Sequence, residues 1–253
     1  MILWWIALKI TIVGSGGAAL TKERSCGSIL VDGDTLVDCG CGSLKNLRIL
    51  DANLEDIDTI LLSHLHNDHV GDIASILWTM QIEGRKTPLK IYGPSGTSKF
   101  IGQILQLVHT PKDFFGFEFS AVDLMDDSES YGFKWCNGKH VPRSNAYRID
   151  RDGSFCISGD TRPLHSIARL AEDVDLLIHD SSFTKSESDA AARTNHSTSY
   201  EAGEIAHRAG ATTLILFYLL GRGSEYEEQL LLEASEQFTG TVAVGRDFLT
   251  LEA

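Results

Sequence analysis

The sequence predicts an α/β layered fold in which two β-sheets are flanked by helices. Short apolar, β-branched runs alternate with helical patterns along the chain. Thirteen such runs against about six helical stretches are too many strands for one doubly wound sheet. The 253 residues, 43% apolar, suit a single domain spanning 1–253, because one α/β layered unit commonly reaches about 250 residues.

Taken in order, strands are expected at residues 9–13, 28–31, 35–38, 59–63, 89–92, 117–122, 132–136, 146–149, 155–158, 176–179, 213–217, 241–244 and 248–251. Helical periodicity marks 72–82 and 224–238. A third helix has readable ends. Thr198-Ser-Tyr-Glu201 forms a capping box, Ala202, Ile205, Ala206 and Ala209 form an apolar stripe, and Gly210 stops it.

Residues 1–8 read as an apolar N-terminal extension, far short of the ~20 residues needed to span a bilayer. With no basic flank and no small-residue cleavage site, it is expected to be neither a span nor a signal peptide. Trp4 and Trp5 within it offer a contact for a homodimer. The five cysteines, Cys26, Cys39, Cys41, Cys136 and Cys156, are an odd number and read as reduced thiols of a cytoplasmic protein. Cys39-Gly-Cys41 is a weak metal motif beside the better ligands elsewhere. Thirty-five acidic against 22 basic side chains give a net charge of −13, which disfavours a partner held by counterion release, such as RNA.

The chemistry is concentrated in Ser63-His64-Leu-His66-Asn-Asp68-His69-Val-Gly-Asp72, where an apolar strand runs directly into three histidines and an aspartate. Imidazole and carboxylate suit Zn²⁺ and similar borderline metals. Alternation at an extended strand end puts His64 and His66 on one side, with Asp68 and His69 following where the chain turns. That arrangement can serve two ions.

His-x-His-x-Asp-His after a buried strand resembles the signature of the metallo-β-lactamase superfamily. The resemblance implies a four-layer αβ/βα sandwich with the site at one edge of the two sheets. It also implies His140 as third histidine of the first ion and Asp160, in Ser158-Gly159-Asp160-Thr161-Arg162, as the carboxylate bridging both. The blocks at 63–71, 84–94 and 158–163, with His179-Asp180 and His196-Ser197-Thr198, narrow the resemblance to the ribonuclease Z and arylsulfatase-like branch. By that match, Asp68 acts on the attacking water and His196, paired with Asp180, assists the leaving group. Asp38 resembles a position that orients a metal-binding histidine.

Two departures stand out. Only twenty positions separate His140 from Asp160, leaving no room for the basic arm with which such enzymes grip transfer RNA. Tyr218 stands where the resemblance expects the last histidine ligand. A phenol, with an ordinary pKa of about 10, is a poor ligand unless a metal depresses it.

The other histidines carry less. His109, His165 and His207 read as surface residues, and His179 as a buried neighbour of the site or an ordinary core histidine. Gly14, Gly16 and Gly17 read as a tight turn and not a phosphate loop. The expectation is therefore a zinc-dependent hydrolase that cleaves phosphodiesters through attack by zinc-bound hydroxide. One ion is held tightly and a second weakly, with Mn²⁺ as an alternative metal. The expected substrate is a small phosphodiester or ester, with no membrane partner. The rivals are an arylsulfatase, lactonase or esterase, and a metal-binding protein with weakened catalysis.

Overall fold

The computed structural model describes residues 7–253. Its first sheet contains β1 (Lys9–Gly14), β2 (Ser28–Val31), β3 (Thr35–Val37), β4 (Thr59–Leu61), β5 (Leu89–Pro94) and β6 (Phe119–Leu124). The second contains β7 (Ser128–Ser130), β8 (Phe133–Asn137), β9 (Asn145–Asp150), β10 (Ser154–Ile157), β11 (Leu176–Asp180), β12 (Thr213–Phe217) and β13 (Thr241–Val244). The last strand, β14 (Thr250–Glu252), returns to the first sheet beside β1. Each sheet is mixed: β3 to β6 and β10 to β13 pair in parallel, and the remaining pairs are antiparallel.

The helices are α1 (Ser43–Ile49), α2 (Asn67–Val70), α3 (Ile73–Ile82), α4 (Thr97–Leu107), α5 (His165–Leu170), α6 (Ser188–Thr194), α7 (Ser199–Ala209) and α8 (Ser224–Ser235). None is long and apolar enough to cross a membrane. The strand interiors are apolar on both faces because both faces are covered. Ile10, Ile12, Tyr147, Phe155, Ile178 and Phe217 pack between the sheets. Leu36, Ile60, Ile76, Leu77 and Ile101 fill the space between the first sheet and its helices. Leu177, Leu214, Ile205, Ala206 and Leu230 do so for the second. These three apolar layers make the four-layer αβ/βα sandwich that the sequence predicts.

Most differences from the predicted elements lie at ends. The strand expected at 117–122 occupies Phe119–Leu124, and the helix expected to reach 238 stops at Ser235. Phe238 nevertheless stays buried against the core that α8 covers. The unanticipated β7 is Ser-Glu-Ser, exposed throughout, and it exists through its pairing with β8. Short helices such as α2 and α6 carry too few turns to show a periodicity. Within the expected apolar extension, Leu8 is buried and exchanges two backbone hydrogen bonds with Ala253. Trp4 and Trp5, and the contact expected of them, lie outside the described residues.

Arg85 is 2% exposed and donates to the carbonyls of Leu54, Glu55, Ile57, Thr87 and Pro88, tying the segment before β4 to the one before β5. Arg85→Met would leave several buried carbonyls without donors, each costing ~1–3 kcal/mol if unrelieved. We expect a net loss of about 3 kcal/mol, read as a fall of roughly 6–12 °C in thermal midpoint, with the distant histidine cluster still able to take up metal.

Candidate metal centre

The polar residues gather at the C-terminal ends of the parallel strands, where the two sheets meet at one edge. Asp38 follows β3, while Ser63 and His64 follow β4, its parallel neighbour. In the second sheet, Asp160 follows β10, Asp180 ends β11 and Tyr218 follows β12. His140 lies beyond β8, and His196 lies between α6 and α7. Gly159 turns Asp160 into the cluster at a φ of 59°, with no room for a Cβ beside the Asn145 carbonyl.

His64, His66, His140 and Asp160 bring one ligand atom each to within 4.8 Å of one another. His64 Nε2 lies 3.0 Å from His66 Nδ1, which is 3.3 Å from His140 Nε2. Asp160 Oδ2 is 3.6 Å from His64 Nε2 and 3.9 Å from His140 Nε2. Donors 2.0–2.1 Å from a tetrahedral zinc ion stand about 3.3 Å apart, so these spacings suit such an ion. Backbone groups set one tautomer, since His140 Nδ1–H donates to the Asn195 carbonyl at 3.1 Å and leaves Nε2 as the lone pair. Burial, followed by the neighbouring imidazoles, holds His64 far below the usual histidine range. Burial and His140 lower His66 as well. Neutral rings are what metal coordination requires.

Asp68, His69 and Asp160 form a second group that shares the Asp160 carboxylate. His69 Nε2 lies 3.5 Å from both Asp68 Oδ2 and Asp160 Oδ1. His69 Nε2 and Asp160 Oδ1 are both buried and lack a hydrogen-bond partner. Such orphaned atoms are uncommon, and two facing each other fit a cation between them. Burial works against charge on His69, yet Asp160 and Asp38 outweigh it and raise its pKa well above the ordinary value. Burial likewise opposes ionisation of Asp68 and Asp160, but the adjacent histidines win and lower both. The pocket is thus tuned to positive charge.

Behind His69 sits Asp38, 1% exposed. Its Oδ1 accepts the Ser63 N–H at 2.6 Å, and its Oδ2 accepts the Ser63 hydroxyl at 2.7 Å and His69 Nδ1–H at 2.7 Å. Tyr218 O–H donates to the same Oδ2 at 3.3 Å. Burial, then Asp38, Asp160 and Asp180, push the phenol well above its ordinary pKa, so Tyr218 serves here as a hydrogen-bond donor. Its ring lies against Gly27, where a Cβ would come within 2.5 Å of Cε1.

On the other flank, His196 Nδ1–H donates to Asp180 Oδ2 at 2.8 Å, and that oxygen also accepts the Thr161 N–H at 3.0 Å. Burial disfavours charge on His196, but Asp180 prevails and raises it to about 9. His196 lines a cavity of about 330 Å³ together with His66, Asp68, His140, Asp160 and Tyr218, beside Ala18, Val141, Phe183 and Leu220. A larger cleft of about 590 Å³, around Glu55, Asp58, Lys90 and Tyr131, has no convergent histidines.

All nine residues singled out as site candidates, His64, His66, Asp68, His69, His140, Asp160, Asp180, His196 and Tyr218, therefore meet in one place. His109, His165 and His207 are exposed, as expected of surface residues. His179 points its Nδ1–H at the Asp180 carbonyl and is fully buried. The cysteines are free, and none joins the ligand groups. Gly17 lines the cavity beside Tyr218. The sequence reading missed Ser63 and the Asn195 carbonyl. Ser63 was visible beside His64, whereas a backbone carbonyl has no residue-type signal.

A family model described as "Anti-Pycsar protein Apyc1" matches residues 8–202. A ribonuclease Z of Halorubrum lacusprofundi is 30% identical over 291 aligned positions, covering 93% of this chain and 94% of the relative. The metallo-β-lactamase fold protein YhfI of Bacillus subtilis superposes with a TM-score of 0.81 at 27% identity, covering 98% of this chain and 100% of that one. The short form of human tRNase Z superposes with a TM-score of 0.80 at 22% identity, covering 96% and 98%.

Asp38→Ala would strand the donors of Ser63, His69 and Tyr218 in the interior. We expect a loss of about 3 kcal/mol or more in the metal-free protein, measured by denaturant unfolding. Tyr218→Phe removes only the longest of these bonds and should cost about 1 kcal/mol or less. Equal losses in the two variants would contradict this ranking.

Proposed function

The chain belongs to the Apyc1 anti-Pycsar family and is a ribonuclease Z-like protein of the metallo-β-lactamase superfamily, and from that premise we propose that it hydrolyses small phosphodiesters with divalent metal ions. The observation that carries this reading is the Asp160 carboxylate, with one oxygen toward the His64 and His140 nitrogens and the other toward His69. His64, His66 and His140 with Asp160 would hold the first ion, and Asp68, His69 and Asp160 the second. Three imidazoles and a carboxylate favour zinc, with Mn²⁺ as the alternative. Bound there, the ions would acidify a water molecule and polarise the phosphoryl group.

The chain's own residues supply the remaining chemistry. Asp68, at the cavity wall, accepts a proton from the attacking water and orients it. His196, with its Nδ1 held by Asp180, donates from Nε2 to the leaving oxygen. Tyr218 gives its hydroxyl to Asp38, so a second ion would have Asp68, His69 and Asp160 as its protein ligands and would be held more weakly than the first.

A small substrate is favoured by the 330 Å³ cavity, the net charge of −13 and the short stretch from His140 to Asp160. The alignment of 291 positions exceeds the 253 residues available, so the ribonuclease Z relative has segments this chain lacks. The matching family model is not named for RNA maturation. RNA is the second reading, supported by ribonuclease Z relatives that match over nearly their whole length. The same ligands would also serve an arylsulfatase, a lactonase or an esterase, which a substrate panel separates.

Protein purified without added metal and dialysed should retain nearer one than two equivalents of zinc. His66→Ala should lose that ion together with hydrolysis of bis(p-nitrophenyl) phosphate, and full metal retention would refute the ligand assignment. His196→Ala and Asp68→Ala should reduce turnover by roughly 10² or more.

Cleavage of precursor transfer RNA at physiological salt should be negligible beside hydrolysis of small phosphodiesters. Efficient processing in that assay would instead establish the RNA reading.

A further inference from the structure

Arg162 lies two residues beyond Asp160 and is absent from the cavity lining. Its Nη1 donates to the His196 carbonyl at 2.6 Å and to Glu201 Oε2 at 3.1 Å, while Nη2 donates to Glu201 Oε1. Glu201 is itself fixed, because its Oε2 accepts the Thr198 N–H at 2.9 Å in the box that caps α7. The segment Asn195-His196-Ser197 belongs to no helix or strand. Its position is set by the His196 N–H bond to the Ala191 carbonyl at 2.9 Å and by side-chain bonds, including Ser197 O–H to the Thr161 carbonyl at 2.6 Å.

We propose that Arg162 is a positioning residue that clamps the His196 backbone so that its imidazole meets the leaving oxygen. This rests on the reading of His196 as proton donor. Both Nη atoms are committed to Glu201 or the His196 carbonyl, so Arg162 acts through His196. A planar guanidinium can hold a carboxylate and a carbonyl together, which the point charge of lysine cannot reproduce.

The test compares zinc-loaded wild type, Arg162→Lys, His196→Ala and the double variant on two probes. Bis(p-nitrophenyl) phosphate releases a weakly basic phenolate that departs without a proton. Diphenyl phosphate releases a more basic one that benefits from a donor. Arg162→Lys should lower turnover about tenfold more on diphenyl phosphate than on the nitrophenyl ester. Its effect should vanish in the His196→Ala background.

Equal losses on both probes, or losses that add to those of His196→Ala, would overturn the clamp and leave Arg162 as a structural residue. If His196→Ala itself shows no dependence on the leaving group, the proton-donor reading fails first. Zinc content and thermal midpoint of each variant separate misfolding from mispositioning. Should Arg162→Lys not fold, Glu201→Gln, which weakens the guanidinium's anchor while keeping a capping side chain, must show the same leaving-group dependence. A loss shared equally by the two probes in that variant would refute the proposal.

Discussion

Asp38 takes four hydrogen bonds on two oxygens where the sheets meet, from the Ser63 amide and hydroxyl, the His69 ring and the Tyr218 phenol. Burying a lone carboxylate costs several kcal/mol, and a full set of donors offsets that cost. Because the donors come from the turn after β4, from α2 and from the end of β12, Asp38 gathers these segments at the edge that carries the ligands. It also settles the His69 ring, since Nδ1 faces Asp38 and only Nε2 is left to face Asp68 and Asp160.

The backbone around this edge is held in conformations that most side chains avoid. Asp38, Asn195 and Tyr218 have φ values of 56°, 60° and 58°. Asparagine tolerates the left-handed region, but a bulky tyrosine does not, and such residues store on the order of 1 kcal/mol or more each. All three are in contact with the candidate centre through Asp38 itself, through the carbonyl that orients His140, or through the phenol. The strain persists because packing and hydrogen bonds in the surrounding sheets leave these residues no relaxed alternative.

Much of this was legible in the chain. The layered class followed from the alternation of apolar runs and helices, and the α7 capping box could be read from Thr198 and Glu201. The ligand cluster was legible because imidazole and carboxylate are rare chemistry at such spacing, and resemblance extended it to His140, Asp160, Asp180 and His196. What escaped was of three kinds. Backbone contributions such as the Asn195 carbonyl leave no trace in residue type. Arg162 looked like one more polar residue after Asp160, since its role depends on Glu201, far along the chain. The direction of the Tyr218 hydroxyl depended on whether the ring would turn toward the ions or toward Asp38, which no pattern of residues decides.

The contact between Tyr218 and Gly27 couples what the two positions can each accept. With alanine at position 27 the tyrosine ring has no place, because the methyl would stand 2.5 Å from a ring carbon. Positions 27 and 218 are therefore coupled: a methyl at 27 forces the ring to move, while removal of the ring leaves the space beside Gly27 unfilled and withdraws a donor from Asp38.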